Sequence, residues 1–190
     1  MIQKPEIIVI GGSAGSYSIV RKILASLPAN FSIPVVLVLH RLKEARNGFD
    51  ESLNNISKIK VTEPLDKQRI AASQVYLSPA NYHLFIEKNK TFALSISEEE
   101  NYSRPAIDIT FDSACDVYGE KLLSILLSGA NGDGAAGILN CHEKKAYTIV
   151  QDPAEALFNI MPNAALRLFS PHELLTSDKI IELLNTLNQK

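Results

Sequence analysis

The sequence lacks the features of membrane, secreted and nucleic-acid-binding proteins. No apolar run approaches the roughly 18 residues that a membrane-spanning helix needs, and the N-terminus has no apolar stretch typical of a signal peptide. The net charge is −2 at pH 7, so there is no basic surplus to attract nucleic acid. We therefore expect a cytoplasmic protein that does not insert into membranes and does not bind nucleic acid.

Cysteine is also scarce. Cys115 and Cys141 are the two cysteines of the chain, and no C-x-x-C spacing joins them. Both fall in predicted helices, so we expect buried free thiols and neither a disulfide nor a metal site. His40 and Glu44 have the four-residue spacing of two metal ligands on a helix, but no third ligand is evident. The sequence therefore disfavours a bound metal.

The overall composition is that of a globular protein. Hydrophobic residues make up 46% of the chain and charged residues 21%. A chain of 190 residues is long enough for one domain with a sizeable core, and no internal repeat, linker or low-complexity tract interrupts it. We predict a single domain over residues 1–190.

Apolar runs alternate with amphipathic segments along the chain. Buried strands are predicted at residues 7–10, 31–40 with an apolar core at 35–39, 122–127 and 147–151. Helices are predicted at residues 16–27, near Phe49 and Leu53, and from 105 to about 118. Three more are predicted: one that follows the small residues at 128–137 and ends at about 145, one that begins at 162, and one after 177. The alternation predicts a three-layer α/β fold with a doubly wound, mostly parallel sheet. Residues 83–87 and 91–96 predict an antiparallel hairpin at the edge of that sheet.

The turn at residues 11–15 has a composition that suits chemistry. Its sequence, Gly-Gly-Ser-Ala-Gly, follows the first strand and matches G-x-S-x-G, a pattern that exposes a serine between a strand and a helix. The pattern alone leaves three interpretations open: Ser13 is a nucleophile, the helix amides cradle a phosphate, or the turn has no chemistry. The dinucleotide and Walker A patterns are both absent, which disfavours a nucleotide binder.

Ser13, His40 and Asp133 each follow the carboxyl end of a predicted buried strand. Because the carboxyl ends of parallel strands meet at one edge of a sheet, we expect the three side chains to lie close together. There they supply a nucleophile, its base and the anion that orients the base. Taken alone, the histidine also fits a backbone contact, and the aspartate fits a turn or a helix cap. Together they favour a hydrolase.

The order Ser, His, Asp differs from the Ser, Asp, His order of ordinary α/β-hydrolases, so a different family is implied. Five segments together resemble the catalytic domain of the chemotaxis protein-glutamate methylesterases, the CheB family. They are residues 10–15, the strand that ends at His40, and residues 76–83, 104–108 and 127–137. The resemblance extends from Ile8 to about Leu168.

This resemblance implies an enzyme that hydrolyses glutamyl methyl esters, and deamidates some glutamines, on the cytoplasmic signalling helices of methylated chemoreceptors. It implies that Ser13 is the nucleophile, His40 the general base and acid, and Asp133 the residue that orients His40. It implies no metal and no other cofactor. The amides near Ala14 and Ala130 become candidates for stabilising the oxyanion. Arg104 either binds an acidic substrate surface or tethers its own loop.

Several positions depart from the family pattern. Ala14 stands where the family commonly has threonine, Ala130 where it has methionine, and Arg41-Leu42 replaces Met-Pro. These changes leave room for a second hypothesis, a CheB-like domain with weakened catalysis that acts as a receptor-binding or regulatory module. The intact set of Ser13, His40 and Asp133 argues against it. Because the first strand begins near the start of the chain, we expect no receiver domain in it. Control by a separate receiver protein is left open.

Overall fold

The computed structural model describes residues 3–41 and 48–188. The strands in these residues are β1 Ile7–Gly12, β2 Val35–Leu39, β3 Val61–Thr62, β4 Val75–Leu77, β5 His83–Ile86, β6 Phe92–Ser95, β7 Leu122–Leu126, β8 Tyr147–Gln151 and β9 Glu173–Leu175. The helices are α1 Ser16–Ser26, α2 Phe49–Asn54, α3 Ile107–Tyr118, α4 Ala135–Glu143, α5 Ile160–Leu166 and α6 Ser177–Thr186. Seven strands form one parallel sheet in the order β3-β4-β2-β1-β7-β8-β9.

Helices cover both faces of this sheet, and that explains why β1 and β2 carry no polar side chain. Along β1, Ile8 and Ile10 pack with α1 and α6, whereas Ile7 and Val9 pack with α3 and α4. All four side chains are fully buried. Successive side chains of a strand point to opposite faces, so a strand that is covered on both faces favours apolar residues on both. The three-layer α/β fold predicted from the sequence is confirmed.

The antiparallel hairpin forms, but not at the predicted edge of the main sheet. β5 and β6 pair with each other as a separate two-stranded sheet. This small sheet lies against α3, where Thr110 Oγ1 donates to the carbonyl of Leu84 at 2.8 Å. The edges of the main sheet are instead the short strands β3 and β9. The sequence does not predict β9, because three residues are too few to show a strand pattern.

The strand order reverses between β1 and β7. β1 pairs with β2 on one side and with β7 on the other. The chain completes β2, β4 and β3 on the first side before it returns to add β7, β8 and β9 on the second. In open parallel sheets, ligands bind outside the carboxyl ends of the strands at such a reversal. Here these ends lead into residues 13–15 and 127–134.

Cys115 and Cys141 are buried free thiols on α3 and α4, as predicted.

Among the described residues, none of the helices has both the length and the apolar character that crossing a bilayer requires. The same residues contain no group of three or more His, Cys, Asp or Glu side chains arranged to hold a metal.

The crossing of α3 and α4 depends on the absence of a side chain at Gly137. A Cβ atom there would lie 2.8 Å from the Cα of Asp108 and 2.9 Å from the Asp108 carbonyl oxygen. Both are backbone atoms of α3 and cannot rotate away, so the helices would have to move apart.

We expect Gly137→Ala to lower the free energy of unfolding by about 1 to 2 kcal/mol. Overpacking costs about 1 to 3 kcal/mol, which outweighs the gain of about 1 kcal/mol or less in helix propensity. Urea unfolding measures the difference. Gly132→Ala is the matched control, since its nearest neighbour would be the Cβ of Ala164 at an ordinary 3.7 Å. Equal unfolding free energies for the two variants would contradict this account.

Candidate active site

Ser13 lies in the tight turn between β1 and α1, held against the end of β7. Its amide donates to the carbonyl of Ser128 at 2.9 Å, and Ser128 Oγ donates back to the carbonyl of Ala14 at 2.9 Å. Gly15 closes the turn with φ +82°, and a Cβ atom there would lie 2.7 Å from Ser128 Oγ. The turn therefore requires glycine at this position, both for its backbone conformation and for its contact with residue 128.

His40 follows β2 and lies beside the same turn. Its amide donates to the carbonyl of Gly12 at 3.2 Å, and its side chain is 12% exposed. Nε2 of the ring lies 2.7 Å from Oδ2 of Asp133, whose side chain is fully buried. The expectation that residues 40 and 133, far apart in sequence, meet at one edge of the sheet therefore holds in the structure.

The carboxylate of Asp133 lies at the N-terminus of α3. Oδ2 accepts from the amide of Ile107 at 2.7 Å, and Oδ1 accepts from the amide of Asp108 at 3.1 Å. Oδ1 also accepts from the amide of Gly134 at 3.0 Å. Burial acts to raise the pKa of Asp133, but the hydrogen bonds from His40 and from the α3 amides outweigh it and lower the pKa below its ordinary value. Asp133 is therefore an anion at neutral pH.

The charge on Asp133 decides which nitrogen of a neutral His40 ring is basic. A carboxylate oxygen only accepts, so Nε2 must carry the proton that points to Asp133. Nδ1 then carries the lone pair. The hydroxyl of Ser103 lies 3.2 Å from Nδ1. The Ser13 hydroxyl makes no hydrogen bond with His40 or with any other residue in the described ranges.

A second buried carboxyl lies behind this pair. Oδ1 of Asp108 accepts from the amide of Gly137 at 2.7 Å, and Oδ2 accepts from Nδ2 of Asn101 at 2.9 Å. The same Nδ2 lies 3.2 Å from Oδ1 of Asp133 and so bridges the two carboxyls. Burial is the largest cause that raises the pKa of Asp108 to about 7, and the neighbouring charge of Asp133 adds to it, against the lowering effect of the Gly137 amide.

Ala14 and Ala130 are the two residues whose backbone amides are candidates for stabilising the oxyanion. Ala14 follows Ser13, and Ala130 lies in the adjoining loop after β7. Neither amide donates a hydrogen bond to another residue of ranges 3–41 and 48–188. Both backbone N–H groups are thus available to a bound oxygen.

Arg104 ties loops together. Its guanidinium donates to Oδ1 of Asn81 from both Nε and Nη2, at 3.2 and 2.8 Å, and to the carbonyls of Ile96 and Ser97 at 2.6 and 2.5 Å. These contacts favour the tether over the substrate contact. Arg41 also points inward, with 2% of its side chain exposed and Nη2 donating to Glu63 at 2.7 Å. Leu42 and Glu44 lie outside the described residues.

The sequence does not indicate that Asn101, Ser103 and Asp108 lie beside Asp133 and His40. Asn101 and Ser103 lie in a polar loop after three glutamates, a composition that indicates only solvent exposure. Asp108 stands in the 104–108 segment, but nothing in its spacing shows that it faces Asp133. His83 joins two backbone segments: Nε2 lies 2.8 Å from the carbonyl of Glu98, and Nδ1 accepts from the amide of Ala106 at 3.2 Å.

Known proteins are similar to this chain in sequence and in fold. A protein of Leptospira interrogans that carries a provisional protein-glutamate methylesterase/protein-glutamine glutaminase name is 42% identical over 97% of this chain and 95% of its own length. A protein of Hahella chejuensis with the name protein-glutamate methylesterase/protein-glutamine glutaminase 1 is 34% identical over 92% of this chain and 49% of its own length.

A solved structure and a family model match the chain as well. The crystal structure of the Thermotoga maritima CheB methylesterase catalytic domain matches with a TM-score of 0.90 and 29% identity, over 97% of this chain and 100% of that one. The family model for CheB methylesterase matches residues 8–184. The chain therefore belongs to the CheB methylesterase family.

Proposed function

We propose that this protein is a serine esterase that hydrolyses the methyl esters of glutamyl side chains, with Ser13, His40 and Asp133 as its catalytic residues. The observation that carries the proposal is the 2.7 Å contact between Nε2 of His40 and the buried carboxylate of Asp133, at the sheet edge that also holds the Ser13 turn. Family membership supplies the substrate class, because the relatives are named for glutamyl ester and glutamine hydrolysis.

The reaction follows from the protonation states of the site. Nδ1 of His40 accepts the hydroxyl proton of Ser13 as Oγ attacks the ester carbonyl. The imidazolium that forms is stabilised by Asp133 and returns its proton to the departing methoxide, which leaves as methanol. Water then attacks the glutamyl ester on Ser13 by the same route and releases the glutamate. For a glutamine substrate the same steps release ammonia.

Backbone amides supply the second requirement, a site for the oxyanion. The amides of Ala14 and Ala130 donate to no other described residue, and they lie in two loops that Ser13 joins by its backbone hydrogen bond to Ser128. A donor of this kind is typically worth about 3 to 4 kcal/mol of barrier. Because the donors are backbone groups, alanine in place of the family's threonine and methionine keeps this contribution.

The substrate we propose is the cytoplasmic signalling helix of a methylated chemoreceptor, which places the reaction in the cytoplasm. Because this substrate is a protein, the contact surface extends beyond the reacting ester. Regulation by a separate receiver protein is compatible with this proposal. The chain spans nearly the full length of the Leptospira relative and about half the length of the Hahella relative.

The decisive experiment is methanol release from methylated receptor fragments. We expect Ser13→Ala to reduce the rate at least about a thousandfold, because loss of the nucleophile removes the covalent route. Ser18→Ala is the control, since this exposed hydroxyl lies nearby in the first turn of α1. Mass spectrometry of the same incubations reports glutamine deamidation. A parent protein that binds the fragments and releases no methanol would support the binding-module hypothesis instead.

The proposed mechanism needs Asp133 to be the only anion of the buried carboxyl pair. Two charges bridged by one Asn101 amide would repel each other in a buried site. The raised pKa of Asp108, about 7, keeps this carboxyl largely protonated below neutral pH. Asp133 then carries the charge that faces His40.

This arrangement predicts a pH dependence of stability. A carboxyl whose folded pKa is raised contributes stability that is fully present below its unfolded pKa, 3.8, and is lost as the pH rises through about 7. We expect Asp108→Asn, which imitates the neutral form, to remove this loss, so the unfolding free energy depends less steeply on pH between about 4 and 7. Urea unfolding across that range measures it, with Asp112→Asn as control on the same helix. Parallel curves for the parent and Asp108→Asn would contradict the assignment.

A further inference from the structure

We propose that Ser103 is a positioning residue that occupies the basic nitrogen of His40 in the resting enzyme, so that Ser13 must displace it before the reaction begins. The inference rests on the proposed function, since it assumes that His40 activates Ser13. Ser103 is not one of the three catalytic residues expected from the sequence.

A neutral imidazole ring has one nitrogen with a lone pair that can accept a hydrogen bond. Asp133 fixes the proton of a neutral His40 on Nε2 at 2.7 Å, which leaves one lone pair, on Nδ1. The Ser103 hydroxyl, 3.2 Å away, must therefore be the donor. One ring nitrogen accepts one strong hydrogen bond, so Ser103 and Ser13 compete for the same site. In the structure it is Ser103 that makes the contact.

The backbone around Ser103 is built to hold it there. Glu100 and Ser103 exchange two backbone hydrogen bonds, at 3.2 and 2.9 Å, across a turn whose central residues are Asn101 and Tyr102. Both central residues have positive φ, +52° and +60°, as in the tight turns of β-hairpins. The first of them, Asn101, also bonds Asp133 and Asp108 through its side chain. The turn at residues 100–103 is thus anchored to Asp133 as well as to His40.

The contact is nevertheless easy to break. The hydroxyl of Ser103 moves by rotation about one side-chain bond, without any change in the backbone of the turn. A neutral hydrogen bond between partly exposed groups has a modest net free energy. Ser103 can therefore orient the ring while the site is empty and give way when Ser13 and a substrate carbonyl are in place.

The test compares labelling of the parent and Ser103→Ala by a fluorophosphonate, which reacts with an activated serine. We expect Ser13 to be labelled between about twofold and tenfold faster in Ser103→Ala, because the variant lacks the competing donor. Ser103→Thr keeps a hydroxyl and should return the rate toward that of the parent. Ser97→Ala, a hydroxyl in the same segment that bonds Ser95, should leave the rate unchanged.

A second readout is independent of activity. In protein that carries 15N-labelled histidine, loss of the hydrogen bond should shift the Nδ1 resonance of His40 toward that of a ring nitrogen without a donor. Ser103→Thr should restore the parent position, and Ser97→Ala should not move it. A merely structural role of Ser103 would not produce this pattern.

The outcomes separate the two proposals. Labelling of Ser13 at equal or lower rate in Ser103→Ala, or an unmoved Nδ1 resonance, overturns the role of Ser103 and leaves the esterase proposal standing. Labelling on Ser103 itself, identified by peptide mass spectrometry, overturns it as well. Absence of label on Ser13 in every variant removes the proposed function, and this inference with it.

Discussion

The buried carboxylate of Asp133 is the group on which the geometry of the site depends. An isolated carboxylate with no exposure would be costly, and this one is stabilised by the first amides of α3, by Gly134, by Asn101 and by Nε2 of His40. The dependence is mutual. α3 has no side-chain cap of its own, and the carboxylate satisfies amides that would otherwise lack an acceptor. The same carboxylate therefore caps the N-terminus of α3 and orients the imidazole of His40.

This arrangement connects the site to the packing of two helices. Asp108, on the first turn of α3, accepts from the amide of Gly137 on α4, and the same close approach leaves no room for a Cβ at Gly137. The crossing that buries Asp108 also fixes the α3 amides that hold Asp133. Asp108 therefore takes part both in the packing of α3 on α4 and in the hydrogen bonds around Asp133.

The turn at residues 100–103 joins this buried network to solvent. Tyr102 at its apex is 99% exposed, while its neighbours Asn101 and Ser103 bond Asp133 and His40. Tyr102 is therefore the direct neighbour of both residues that bond the buried site, Asn101 and Ser103. The proposed mechanism needs the Ser13 hydroxyl at Nδ1 of His40. In the described residues Ser13 makes no hydrogen bond there, and the hydroxyl of Ser103 lies 3.2 Å from that nitrogen.

The sequence by itself determined the layered α/β fold, because uniformly apolar strands between amphipathic helices can be buried only within a covered parallel sheet. It also determined that Ser13, His40 and Asp133 follow strands whose carboxyl ends share one edge. Tertiary structure alone decided the rest: the place of the hairpin on α3, the strand β9, and the contacts that Asn101, Ser103 and Asp108 make around Asp133 and His40. Each of these depends on contacts between segments distant in the chain, and a polar loop has no periodicity that reveals which buried group its side chains will meet.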